Sequence, residues 1–127
     1  MGSQETTEMF VNSFATPPKT IFENLFIEKA SSVEDLKGSE SSWFSSDHYM
    51  RFESKSMPTF KRPIKFTKGV DKTKAIEFFK RRFKEDASML EDINSLDFSF
   101  MDENKKHAWV LLHKTSNVYF VRVWTNE

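Results

Sequence analysis

The sequence predicts a small α+β domain, a mostly antiparallel sheet with a long amphipathic helix packed on one face. Three observations predict it. The last third of the chain reads as a three-strand meander. Residues 71–93 repeat apolar side chains at helical steps, and 127 residues suit one domain rather than two. Residues 1–8 are polar and read as a flexible N-terminus, leaving 9–127 for the domain.

The first element predicted is a helix over residues 16–30. Thr16 is placed to cap it and Pro17 suits the first helical position, with Thr20 and Glu23 spaced as a capping box slightly later. Ile21/Leu25 and Phe22/Phe26 follow at four-residue spacing. "SVEDLKG" reads as one further helical turn ending at Gly38, and "SESSWFSS" as a loop. Residues 48–54 alternate as a strand. Residues 59–67 set Phe60, Ile64 and Phe66 against Lys61, Pro63 and Lys65, which suggests an edge strand because Pro63 cannot donate to a ladder.

From Asp71 the period changes to helical. Asp71 is a candidate N-cap, with Val70 and Ala75 as a hydrophobic staple. Ile76, Phe79, Phe83, Ala87, Leu90 and Ile93 form one stripe for about five turns, with a break near Asp86–Ser88 as a variant. Segments 96–102, 107–114 and 118–125 then read as strands joined by "ENKK" and "TSN". The last two are apolar on both faces, which predicts central strands covered on both sides. Any half left uncovered needs a partner, a ligand or a second copy of the chain.

Composition narrows the chemistry. There is no cysteine, so disulfides, thiolate metal sites and a cysteine nucleophile are excluded. No apolar run approaches the ~20 residues that span a bilayer, and the opening residues do not read as a signal peptide. "MGSQET" fits the loose myristoylation pattern at Gly2, although Glu5 and Glu8 oppose an anionic membrane and an "MGS" start also arises from cloning. An intracellular location, cytoplasm or nucleus, is the expectation.

The net charge of zero conceals a pattern. Residues 1–50 carry 3 Lys+Arg against 8 Asp+Glu (−5), residues 51–82 carry 11 against 3 (+8), and residues 83–127 carry 5 against 8 (−3). A basic middle between acidic flanks either attracts an acidic partner or pairs with the flanks.

No catalytic motif is visible. Among the three histidines, His107 and His113 fall on one face of one strand but about 20 Å apart, too far to share a metal. The adjacent carboxylates, such as Glu91 and Asp92, suit solvated helix charges, although carboxylates or histidines assembled in three dimensions lie beyond a sequence reading. No metal and no cofactor is expected.

The candidate partner surface comprises Lys61, Arg62, Lys65, Phe78, Lys80, Arg81, Arg82 and Lys84, with Trp43 as a separate aromatic anchor. Phe78 lies off the core stripe among Arg81, Arg82 and Glu85. It either widens the buried face or stands exposed as an anchor. Basic residues interleaved with phenylalanine also suit single-stranded nucleic acid, but Phe60 and Phe66 share the apolar strand face and no RNP-like stretch occurs. The expectation is a non-enzymatic interaction module, an adaptor or subunit binding another protein through this basic surface. RNA or single-stranded DNA is the alternative, and a hydrophobic-ligand pocket between helix and sheet is third.

Overall fold

A computed structural model describes residues 17–39 and 46–126. Trp43 and Phe44, the Thr16 cap and Gly2 lie outside them. The elements are helix α1 (Pro18–Leu25), strands β1 (Glu34–Gly38), β2 (Asp47–Glu53) and β3 (Thr67–Lys68), helices α2 (Thr73–Arg82) and α3 (Ala87–Glu91), and strands β4 (Leu96–Glu103), β5 (Lys106–His113) and β6 (Val118–Thr125). Three single 3₁₀ turns join them at Ala30–Ser32, Lys84–Asp86 and Ile93–Ser95. All six strands form one antiparallel sheet in the order β1-β2-β6-β5-β4-β3. The α+β architecture read from the sequence is therefore the one observed.

The meander forms where local pattern placed it. Asn104 and Asn117, both at positive φ, sit in its two turns, a conformation that asparagine tolerates better than most residues. β5 and β6 are central, and both faces of the sheet are covered. On one face Phe79, Phe83 and Leu90 pack against Phe98, Leu111 and Phe120. On the other, Ile21, Phe22 and Phe26 pack against Met50, Phe52, Val110 and Val121. Alternation along each strand supplies both layers, Val110 and Val121 to one core and Leu111 and Phe120 to the other.

Several elements depart from expectation. The first helix begins at Pro18 and stops at Leu25 instead of continuing to Ala30. Phe26 turns to extended backbone and bridges to Phe60, which ends the helix. Thr20 and Glu23 form no capping box; both lie within the helix, and the Glu23 carboxylate accepts the Ala30 amide at 2.8 Å. Residues 34–38 form an edge strand, not a helical turn. Pairing with β2 overrides local preference, and a bulge places Asp35 at φ 50°. Gly38 allows the close approach, since a Cβ there would lie 2.6 Å from the Tyr49 carbonyl oxygen.

The strand expected at 59–67 shrinks to the Phe60 bridge and the two residues of β3. Residues 63–66 have no ladder, in keeping with the lost donor at Pro63. Phe60 and Phe66 nonetheless pack at 5.6 Å between ring centroids against the α1-side core.

The long helix is divided at Phe83 (φ −120°, ψ 69°), a few residues before the anticipated break. Asp71 does not occupy the cap position, which falls to Lys72, but its carboxylate accepts the Thr73 amide at 3.0 Å. Val70 is 98% exposed and staples nothing, and Ile93, 54% exposed, leaves the core stripe in its 3₁₀ turn.

The break is fastened by Arg51. This buried side chain meets Asp86 at 3.0 Å, the Asp35 carboxylate at 2.6 Å and the Asp35 carbonyl at 3.0 Å. Lys37 with Glu85 (2.9 Å) repeats the connection nearer the surface. Part of the basic middle therefore pairs with the acidic flanks: Lys68 with Asp97 and Lys80 with Glu91 are further cases.

Candidate functional site

The basic residues 61–84 do not converge on one patch. The chain passes around the sheet at edge strand β3 between residues 62 and 80. Lys61, Arg62 and Lys65 belong to the segment that covers the α1-side face. Lys80, Arg81, Arg82 and Lys84 lie on or just after α2, which covers the opposite face. Lys80 pairs with Glu91, while Arg81 and Lys84 are exposed.

Phe78 points inward, onto the sheet. It is half-buried and meets Tyr49 and Trp109 edge-on at 5.5 and 5.9 Å. Two guanidiniums flank its ring, Arg82 at 3.8 Å and Arg122 at 4.1 Å from the centroid. Arg122 also lies 4.1 Å from the Trp124 ring and donates to both oxygens of Asp47, at 3.0 and 2.8 Å. Phe78 thus widens the buried face and is enclosed by the protein's own cations.

Lys61 and Arg62 border a groove of about 590 Å³ on the α1-side face. Leu25 at the end of α1, Phe60 and Ile64 of the β2–β3 connection, Met101 of β4 and Val123 of β6 give it an apolar lining. Met101, Ala108 and Val123 are opposite one another across three strands, so sheet register places the two lining residues in one row. Lys106, from the β4–β5 hairpin, adds a third cation, and Glu103 is the single carboxylate in the lining. Among the described residues, Lys61, Arg62 and Lys106 make no ion pair within 4 Å.

The groove wall is fixed to the end of α1 by main-chain bonds. The Ile27 amide donates to the Thr59 carbonyl and the Lys61 amide to the Leu25 carbonyl, both at 2.8 Å. The Glu28 carboxylate accepts the Thr59 amide at 2.8 Å and its hydroxyl at 3.1 Å. That amide holds the Glu28 carboxyl below its ordinary pKa.

Two histidine constellations assemble in three dimensions. His113 is buried, and its Nδ1 lies 2.7 Å from the Ser116 hydroxyl and 3.3 Å from the Ser116 amide. An amide can only donate, so Nδ1 is the acceptor and Nε2–H donates to Asp92 at 3.0 Å. The set contains Ser, His and Asp, but none of the three lines the groove. Its geometry ties the β5–β6 turn to the end of α3. His107, at the other end of β5, meets Asp102 at 2.6 Å and Asn126 at 2.8 Å, and stacks on Trp124. Among the described residues, no group of three or more acidic or histidine side chains is placed to hold a metal ion. No helix among them is long and apolar enough to cross a membrane.

Sequence reasoning found Lys61 and Arg62 but missed Leu25, Ile64, Met101, Lys106 and Val123 as their companions. No local signal joins these residues, because they come from separate elements and meet only through sheet register. No family model, no curated protein and no solved structure matches this chain.

Proposed function

We propose that this chain is a non-enzymatic interaction module that docks another protein in the groove between α1, the 60–64 segment and the ends of β4 and β6. The observation that carries this reading is three cations, without ion-pair partners among the described residues, around an apolar lining. Apolar surface favours burial of aliphatic or aromatic side chains, and the cations favour a partner that brings carboxylates with them. The partner chemistry is thus an acidic segment with interspersed apolar residues.

Phosphate is the competing anion, since the same cations suit RNA or single-stranded DNA. Protein is favoured because single-stranded nucleic acid draws on free aromatic platforms, whereas the aromatic residues at the groove are engaged within the chain, Phe60 on Phe26 and Phe66 and Trp124 on His107. A binding comparison separates the two. An acidic–apolar peptide and a labelled oligouridylate are titrated at about 50 and 200 mM salt, where phosphate-driven affinity differs most. Peptide binding weakened at least about tenfold by Lys61→Glu with Arg62→Glu is expected. Oligouridylate binding tighter than peptide binding overturns the reading.

A further inference from the structure

We infer that the partner segment binds as an added β-strand along the open outer edge of β4, beside the groove. This rests on the groove reading above and specifies its binding mode. In an antiparallel sheet, alternate residues turn their backbone N–H and C=O groups to opposite sides of the strand. The Lys114 amide donates to the Ser95 carbonyl, which fixes the odd-numbered residues of β4 as those that bond to β5. The even-numbered residues therefore face the outer edge. The Gly69 amide bonding to the Phe98 carbonyl confirms that direction, and Phe100 is opposite Thr67.

The next outward residue is Asp102. In the continuing register Lys65 would face it, but residues 63–66 carry no ladder, and the chain has left the edge toward Pro63. Among the described residues, the outward backbone N–H and C=O of Asp102 have no partner. The groove opens at that point, lined by Pro63 and Ile64 on one side and by Met101 and Glu103 on the other.

An extended segment inserted there closes both openings together. The residue opposite Asp102 exchanges two backbone bonds with it and turns its side chain to the α2 side of the sheet. Its two neighbours turn theirs into the groove beside Met101 and Ile64, so these positions should be apolar. Carboxylates at the next groove-facing positions, three residues to either side of the one opposite Asp102, face Lys61 and Arg62. The committed ligand is an extended peptide whose groove-facing positions are apolar at the centre and acidic at the ends.

The test uses the full chain and a fluorescein-labelled peptide of sequence Glu-Thr-Leu-Thr-Leu-Thr-Glu, which sets both leucines and both glutamates on one strand face and a neutral residue opposite Asp102, read by anisotropy. Asp102→Pro removes the outward N–H and leaves intact the β4–β5 ladder, which residues 101 and 103 carry. Asp102→Ala retains the N–H while losing the contact to His107. Strand addition predicts about a tenfold or greater loss for Asp102→Pro and less than about threefold for Asp102→Ala. Should Asp102→Pro fail to fold by near-ultraviolet circular dichroism, single N-methyl groups walked along the peptide supply the same information. Affinity must then fall at the one position whose N–H is opposite Asp102 and hold at its two neighbours. Equal affinity of the two variants, or equal tolerance of N-methylation at all positions, overturns strand addition. If the Lys61→Glu, Arg62→Glu variant still loses binding in that case, groove docking survives without it. If charge reversal has no effect, or the peptide does not bind the wild-type chain, the groove reading falls as well.

Discussion

Arg51 and Asp86 form a buried ion pair that joins the second strand to the break between helices α2 and α3, with Nε 3.0 Å and a terminal nitrogen 3.4 Å from the two carboxylate oxygens. Arg51 is 5% exposed, and the carboxylates it meets are those of Asp86 and, nearer the surface, Asp35. Truncating one partner of such a pair strands the other. Arg51→Ala should lower the unfolding free energy by about 3–5 kcal/mol in urea denaturation. A loss below about 1 kcal/mol would assign the pair to the surface class.

Phe78 and Phe79 are neighbours with different duties. Phe79 is fully buried and packs on Phe83 and Phe120. Phe79→Ala should cost about 3–5 kcal/mol. Phe78, half-buried over Tyr49 and Trp109, should cost about 2 kcal/mol as alanine and should alter Trp109 fluorescence. An unchanged melting curve together with loss of partner binding would make Phe78 an exposed anchor after all.

Acid stability should depend on Asp92. The hydrogen bond from His113, with a second from Ser95, holds its carboxyl below the ordinary value. A carboxyl depressed on folding contributes stability in full above its unfolded pKa, about 4. That contribution declines as pH falls below about 4 and is gone once pH passes below the folded value. Asp92→Asn should therefore flatten the acid limb of stability between about pH 5 and 2 relative to wild type. An identical acid limb in urea melts across that range would show that the bond is absent in solution.

Glu28 should control the groove wall. Glu28→Ala removes both bonds to Thr59 but leaves the main-chain pair between Ile27 and Thr59. Amide exchange at Thr59 should accelerate, while amides in β5 and β6 should keep their protection. Uniform acceleration would point instead to global destabilisation.

How much of this was legible in the sequence follows from where each signal lies. β6 could be read because Val118, Phe120 and Trp124 alternate with Tyr119, Val121 and Val123, and its turn residues sit beside it. β1 could not, because "EDLKG" has no strand character of its own and is extended by pairing with β2 and by Arg51 binding Asp35. The helix break was legible only as a variant near Asp86–Ser88, a few residues past its place at Phe83, because Phe83 and Leu90 stay buried on both sides of it. The candidate site was half legible. Charge marked Lys61 and Arg62, but contiguity in sequence wrongly grouped them with Arg81 and Lys84, which the passage around β3 carries to the other layer.

The strand order also bears on how the chain reaches this state. β4, β5 and β6 are consecutive and close through short turns, whereas β2 meets β6 across about seventy residues, Met50 opposite Val121. Closing the long loop incurs its entropy before any contact repays it, and local hairpins do not face that delay. The meander with α2 on it is then the expected nucleus, and β1 and β2 join late. Leu111→Ala should chiefly slow refolding, and Met50→Ala should chiefly hasten unfolding. The reverse pattern in stopped-flow chevrons would place the first long-range contact at the β2–β6 seam.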